Sequence, residues 1–85
     1  MNPLGEIKRF MLRALARLEG LPWPDGLLDE AARRGVLPRP LQSELNQAKR
    51  ELESCGYVQG QRDELDGTVT WTLTDKGRHK ARQLG

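Results

Sequence analysis

The stretch PLQSELNQAKRELESCGYV, from Pro40 to Val58, concentrates side chains suited to recognition chemistry. Asparagine and glutamine amides set a donor beside an acceptor and match the edge of adenine, and an arginine fork matches guanine. Arg39, Gln42, Ser43, Asn46, Gln47 and Arg50 form such a set, and Lys49 beside them suits a phosphate contact. Glu53 is the acid that accompanies them, toward the distal end. The competing reading is a plain solvated face, because any surface helix carries polar residues opposite its apolar stripe.

The parts for catalysis are missing. His79 is the single histidine, in a cationic segment with no nucleophile beside it. Cys55 is the single cysteine, which excludes an internal disulfide and a multi-thiolate metal site. Asp63, Glu64 and Asp66 are carboxylates of a turn and form no preorganised acid-base pair. Neither a P-loop nor a GxGxxG pattern occurs. The expectation is a protein that is not an enzyme, with no metal, no cofactor and no small-molecule substrate.

The elements that must position the recognition set follow from periodicity. Glu6 to Glu19 reads as a first helix, with Leu4, Ile7, Met11, Ala14, Leu15 and Leu18 at three- and four-residue steps and Gly20 as its stop. Leu12 and Ala16 fall on its polar side, where they offer a small patch for self-association. Pro22 and Pro24 push Leu21 and Trp23 into extended backbone, a short strand with Trp23 in the core. Pro24 and Asp25 open a second helix through Leu27, Leu28, Ala31 and Ala32 to Gly35. The third helix runs from Pro40 to Cys55 on the stripe Leu41, Leu45, Ala48, Leu52 and Cys55, and Gly56 is its left-handed cap.

The period then changes to two. TVTWTL alternates Val69, Trp71 and Leu73 against threonines, YVQGQR is its partner, and Asp66-Gly67 signals the turn. A last helix follows, with Thr74 or Asp75 as N-cap. Gly77 lies inside it, where glycine costs about 1 kcal/mol relative to alanine, so close backbone packing is expected there. The result is one domain, residues 1–85, mainly α with a small β-hairpin, in the order helix, short strand, helix, helix, hairpin, helix.

Of the 85 residues 36% are apolar and 31% charged, with a net charge of +2. The charge is uneven. Lys8, Arg9, Arg13 and Arg17 make the first helix basic, and Lys76, Arg78, Lys80 and Arg82 make the last one basic. Between them, Asp63, Glu64 and Asp66 outnumber Arg62. Anions prefer the two ends. No run of apolar residues is long enough for a membrane span, and the N-terminus lacks a signal-peptide core. A cytoplasmic protein is expected.

LNQAKRELESCGYV, a polar hairpin, and then WTLTDKGRHKA together resemble the winged-helix regulators of the MarR and PadR type. The resemblance covers about Leu21 to Leu84 and implies a winged helix-turn-helix fold with the third helix as recognition helix. Two features depart from it: the long dimerisation helices usual in MarR-type proteins have no counterpart, and RRGVLPRP is longer and richer in proline than a tight helix-turn-helix connection. The implied function is sequence-specific binding of double-stranded DNA by a small transcriptional regulator, as a homodimer or with a protein partner. In these families the hairpin tip often approaches the minor groove; here only Arg62 suits that, because the acids beside it are repelled by phosphate. Lys76, Arg78 and the arginines of the first helix then hold phosphates. Four to six such contacts give a salt slope of about −4 to −5. The alternative is a winged-helix protein-interaction module without DNA binding, which the acidic hairpin suits.

Overall fold

The computed structural model describes residues 3–18 and 21–84. Its elements are α1 (Pro3–Arg17), β1 (Trp23–Pro24), α2 (Asp25–Gly35), α3 (Gln42–Ser54), β2 (Val58–Arg62), β3 (Val69–Leu73) and α4 (Asp75–Leu84). This is the winged helix-turn-helix order read from the sequence. The strands pair antiparallel in the order β1-β3-β2. No helix among the described residues is long and apolar enough to cross a membrane.

α1 is the central helix. It opens at Pro3, three residues before the expected Glu6; proline's missing N–H is harmless in a first turn. The predicted end at Glu19 and stop at Gly20 lie outside the described residues. α1 packs against α2, α3, α4 and β3, so its buried arc is wider than one stripe and takes in Ile7, Met11, Leu12, Ala14 and Leu15. Leu12 is therefore core, not part of a polar side, and cannot form the expected self-association patch with Ala16. Leu18, placed on the stripe, is exposed beyond the last turn of α1.

α3 buries Leu45, Ala48 and Leu52 as its spacing requires. The two ends of the expected stripe are corrected. Leu41 is the N-cap residue and is 66% exposed. Its N–H donates to Glu44 Oε1 at 2.8 Å, which is half of a capping box, since leucine has no side-chain oxygen to return the bond. Cys55 is the C-cap and is exposed. There the chain leaves the helix: Gly56 turns left-handed at φ 82°. The Tyr57 N–H returns to the Leu52 carbonyl at 3.0 Å and the Gly56 N–H to that of Glu53 at 2.9 Å. This reverse turn satisfies the last carbonyls and aims the chain into β2.

Trp71 is buried at the centre of β3, opposite Trp23 of β1 on one side and Gly60 of β2 on the other. Its ring lies over Gly60, where a methyl group would come within 2.8 Å of it. Trp23 is only half-buried, because β1 is the edge of the sheet.

Thr74 caps α4. Its hydroxyl donates to the Gly56 carbonyl at 2.6 Å and accepts from the Gly77 N–H at 3.0 Å. These bonds draw the first turn of α4 onto the backbone that leaves α3. Gly77 is the point of contact, and a β-carbon there would overlap the Tyr57 carbonyl oxygen. Gly77→Ala should therefore destabilise the domain by about 1–3 kcal/mol, the usual cost of overpacking, although alanine is the better helix former. Urea unfolding checks this; an unchanged or raised midpoint contradicts the contact.

Candidate nucleic-acid interface

The face of α3 away from α1 carries the expected recognition set. Gln42, Ser43, Asn46, Gln47 and Arg50 are exposed on it, and Arg39 is exposed in the connection before it. They are not equally available. The Gln42 amide spends both donors, on Asp29 Oδ2 at 2.9 Å and Asn46 Oδ1 at 3.0 Å, and its oxygen accepts from Arg33. Gln42 thus ties α3 to α2 and has no donor left for adenine. Gln47 donates to Glu51 Oε2 at 2.8 Å along the helix. Ser43 and Arg50 make no side-chain hydrogen bond or ion pair among the described residues, and the Asn46 amide nitrogen gives none.

Lys49 is a correction. Its side chain is buried, with Nζ 2.6 Å from Asp25 Oδ1 and 2.8 Å from Asp29 Oδ1. It points between α2 and α3 and cannot reach a phosphate. Trp71 Nε1 donates to the same Asp25 oxygen at 2.7 Å, so one carboxylate joins α2, α3 and the sheet. The sequence does hold a signal for this cluster: Asp25 and Asp29 stand four residues apart, on one side of one helix turn. Burial pushes the Asp25 carboxyl up, but the hydrogen bonds from Lys49 and Trp71 and the lysine charge outweigh it, and the group rests below the ordinary carboxylate range.

Between α3 and the hairpin lies a shallow cleft of about 320 Å³, lined by Asn46 and Arg50 on one wall, Val69 and Trp71 on the other, and Asp25 and Lys49 at its floor. Arg62 is exposed on β2, paired across from Val69. Beyond it the acids build the turn. Asp63 accepts the Leu65 N–H at 2.7 Å, and Asp66 accepts the Thr68 N–H at 2.9 Å and its hydroxyl at 2.7 Å. The Thr68 hydroxyl, followed by its N–H, holds the Asp66 carboxyl below its ordinary range.

Among the described residues, the basic ends frame α3 only through Lys8 and Lys76, and those are engaged. Lys76 donates to the Cys55 carbonyl at 2.7 Å and lies 5.0 Å from the centre of the Tyr57 ring, closing the C-terminus of α3. Arg78 is half-buried and ion-paired to Asp75 at 2.6 Å. It lines a groove between α1 and α4 together with Arg13, Arg17 and Arg82. α1 lies between that groove and α3. Arg13 and Arg17 of the first basic segment thus share one surface with Arg78 and Arg82 of the last, a juxtaposition that only the tertiary fold creates, whereas Lys8 pairs with Glu51 of α3. Among the described residues, no cluster of histidine, cysteine or carboxylate side chains is arranged to hold a metal ion.

Two stability measurements test the buried cluster. Lys49→Met leaves Asp29 buried without its cation and should cost about 3 kcal/mol, as breaking a buried pair does; a loss below ~1 kcal/mol on urea unfolding contradicts the pairing. The lowered pKa of Asp25 means that the folded state binds its proton less readily than the unfolded state. Its contribution is then full above the unfolded carboxylate value of about 4 and is lost as pH falls through the lower folded value. Thermal unfolding of Asp25→Asn should therefore show a smaller decline below about pH 4 than the unsubstituted chain does. Equal acid sensitivity contradicts the assignment.

No protein-family model matches the chain, and no curated protein matches it. Among solved structures the fold is similar to that of ZitR from Lactococcus lactis, a double mutant in its apo form, with a TM-score of 0.68 at 20% identity. The match covers 94% of this chain and 55% of that one, so the present chain spans about half the length of the other. The likeness is one of fold: this chain is built as a winged helix.

Proposed function

We propose that the protein binds double-stranded DNA sequence-specifically, as a regulator of transcription of the MarR or PadR kind, with α3 lying in the major groove. The observation that carries this reading is the exposed row Ser43, Asn46 and Arg50, which turns outward from a helix held on its apolar side by Leu45, Ala48 and Leu52 and on its flank by Lys49. In helix-turn-helix docking it is the N-terminal part of the recognition helix that meets base edges. Asn46 suits adenine and Arg50 suits guanine. Ser43 is the adaptable third contact, and Gln47 joins them by releasing Glu51. Gln42 acts indirectly, by holding Asn46 and the start of α3 in place.

Phosphate contacts fall to Arg39, before α3, and to Arg62, on the hairpin. The wing tip itself stays off the duplex, since its carboxylates are repelled by the backbone. Lys76 and Arg78 are engaged elsewhere, so the number of phosphates neutralised drops to about two and the salt slope to about −2. No reaction follows binding; the chemistry is recognition alone.

Asn46→Ala and Arg50→Ala should each weaken binding to a selected site by about 1–3 kcal/mol, the worth of one bidentate base contact, while leaving the unfolding midpoint unchanged. Fluorescence anisotropy with a duplex selected from a random pool measures the first, and urea unfolding the second. Full affinity in both variants removes α3 as the reading element.

A further inference from the structure

The groove between α1 and α4 has a volume of about 320 Å³, with Ala16 and Ala81 among its lining and the side chains of Arg13, Arg17, Arg78 and Arg82 around them. Two small apolar residues beside four guanidinium groups call for an occupant with an apolar tip and carboxylates around it. Arg13 donates to the Leu84 carbonyl at 3.3 Å and Arg78 pairs with Asp75. Arg17 and Arg82 are exposed and make no ion pair among the described residues.

The chain itself carries a segment of that description. Leu65 is 97% exposed at the wing tip, flanked by Asp63, Glu64 and Asp66. The tip is already built: the Asp63 N–H donates to the Thr68 carbonyl at 2.7 Å, and the Asp63 and Asp66 side chains hold the turn. A preformed tip loses little freedom on docking. The tip cannot enter the groove of its own molecule, because β3 runs five residues between the tip and α4, about 16 Å of paired strand.

We infer that the groove is an interaction surface for a second copy of this chain, with Leu65 of one copy seated over Ala16 and Ala81 of the other and Glu64 facing Arg17 and Arg82. Each copy has one tip and one groove, so two such contacts related by a two-fold axis close a pair. That pair presents two α3 faces. The inference goes beyond the DNA reading and does not depend on it.

The test is sedimentation velocity of the full chain without nucleic acid, over a range of protein concentrations and from about 50 mM to about 0.5 M salt, where screening shortens the reach of exposed charges. A dimer that dissociates with salt is expected. Arg17→Glu with Arg82→Glu in one chain, or Glu64→Lys in another, should weaken association by about tenfold or more, as like charges brought together at an interface do. Leu65→Ser should weaken it without changing its dependence on salt. All these positions are exposed and, among the described residues, make no ion pair, so circular dichroism should stay that of the folded chain. Mixing the Arg17→Glu, Arg82→Glu chain with the Glu64→Lys chain should restore a heterodimer, since both contacts then pair opposite charges. A chain that stays monomeric at every concentration overturns the inference, as does a dimer indifferent to these substitutions. A monomer whose groove binds inorganic phosphate or an acidic peptide likewise overturns it, and gives the groove to another occupant.

Discussion

The buried Lys49 ammonium is the constraint on which the rest of the structure depends. A charge in a core this small is tolerated only when it is paired. Asp25 and Asp29 pair it from α2, and Trp71 completes Asp25 from β3. The three elements that define a winged helix therefore meet at one ion cluster. An apolar contact could slide by a fraction of a turn. A lysine held by two carboxylates from successive turns of one helix fixes both rotation and tilt. The outward row of Ser43, Asn46 and Arg50 takes its direction from that fixation.

Around the cluster, close approaches of backbone set the remaining geometry. Gly56 reverses the chain at the end of α3, Gly60 admits the Trp71 ring, and Gly77 admits the Tyr57 carbonyl. The Phe10 ring from α1 packs on Gly35 at the end of α2 in the same manner, since a β-carbon there would overlap it. A chain with few large apolar residues makes its core by bringing backbones together. This is how 85 residues with only 36% apolar content still enclose Ile7, Met11, Leu28 and Leu45 almost completely.

Much of this was legible in the sequence, and the limits have physical causes. The stripe Leu45, Ala48 and Leu52, the stop at Gly56, the burial of Trp71 and the tight packing at Gly77 are local patterns, and each one stands in the fold; the alternation around Trp71 does not, because Val69, Thr70, Thr72 and Leu73 are all half-buried on the middle strand of the sheet. What escaped depended on neighbours. Leu12 looks polar-sided on a wheel because a wheel assumes one buried face, whereas α1 is covered by four elements. Lys49 looks like a surface cation until α2 brings two carboxylates beneath it. Gln42 looks like a base reader until Asp29 and Arg33 occupy its amide. The arginines of the two basic ends lie nearly sixty residues apart in the chain, and only the packing of α4 on α1 makes them one groove.

On the proposed reading the α3 face, and not the arginine groove, meets DNA. In an NMR titration of isotopically labelled protein with a short mixed-sequence duplex, at low and at high salt, Arg39, Ser43, Asn46, Gln47 and Arg50 should then shift, and the shifts should weaken as salt rises, with Arg13, Arg17 and Arg82 unmoved. Shifts confined to the α1–α4 groove, or none at low salt, contradict it and return α3 to the role of a solvated helix face.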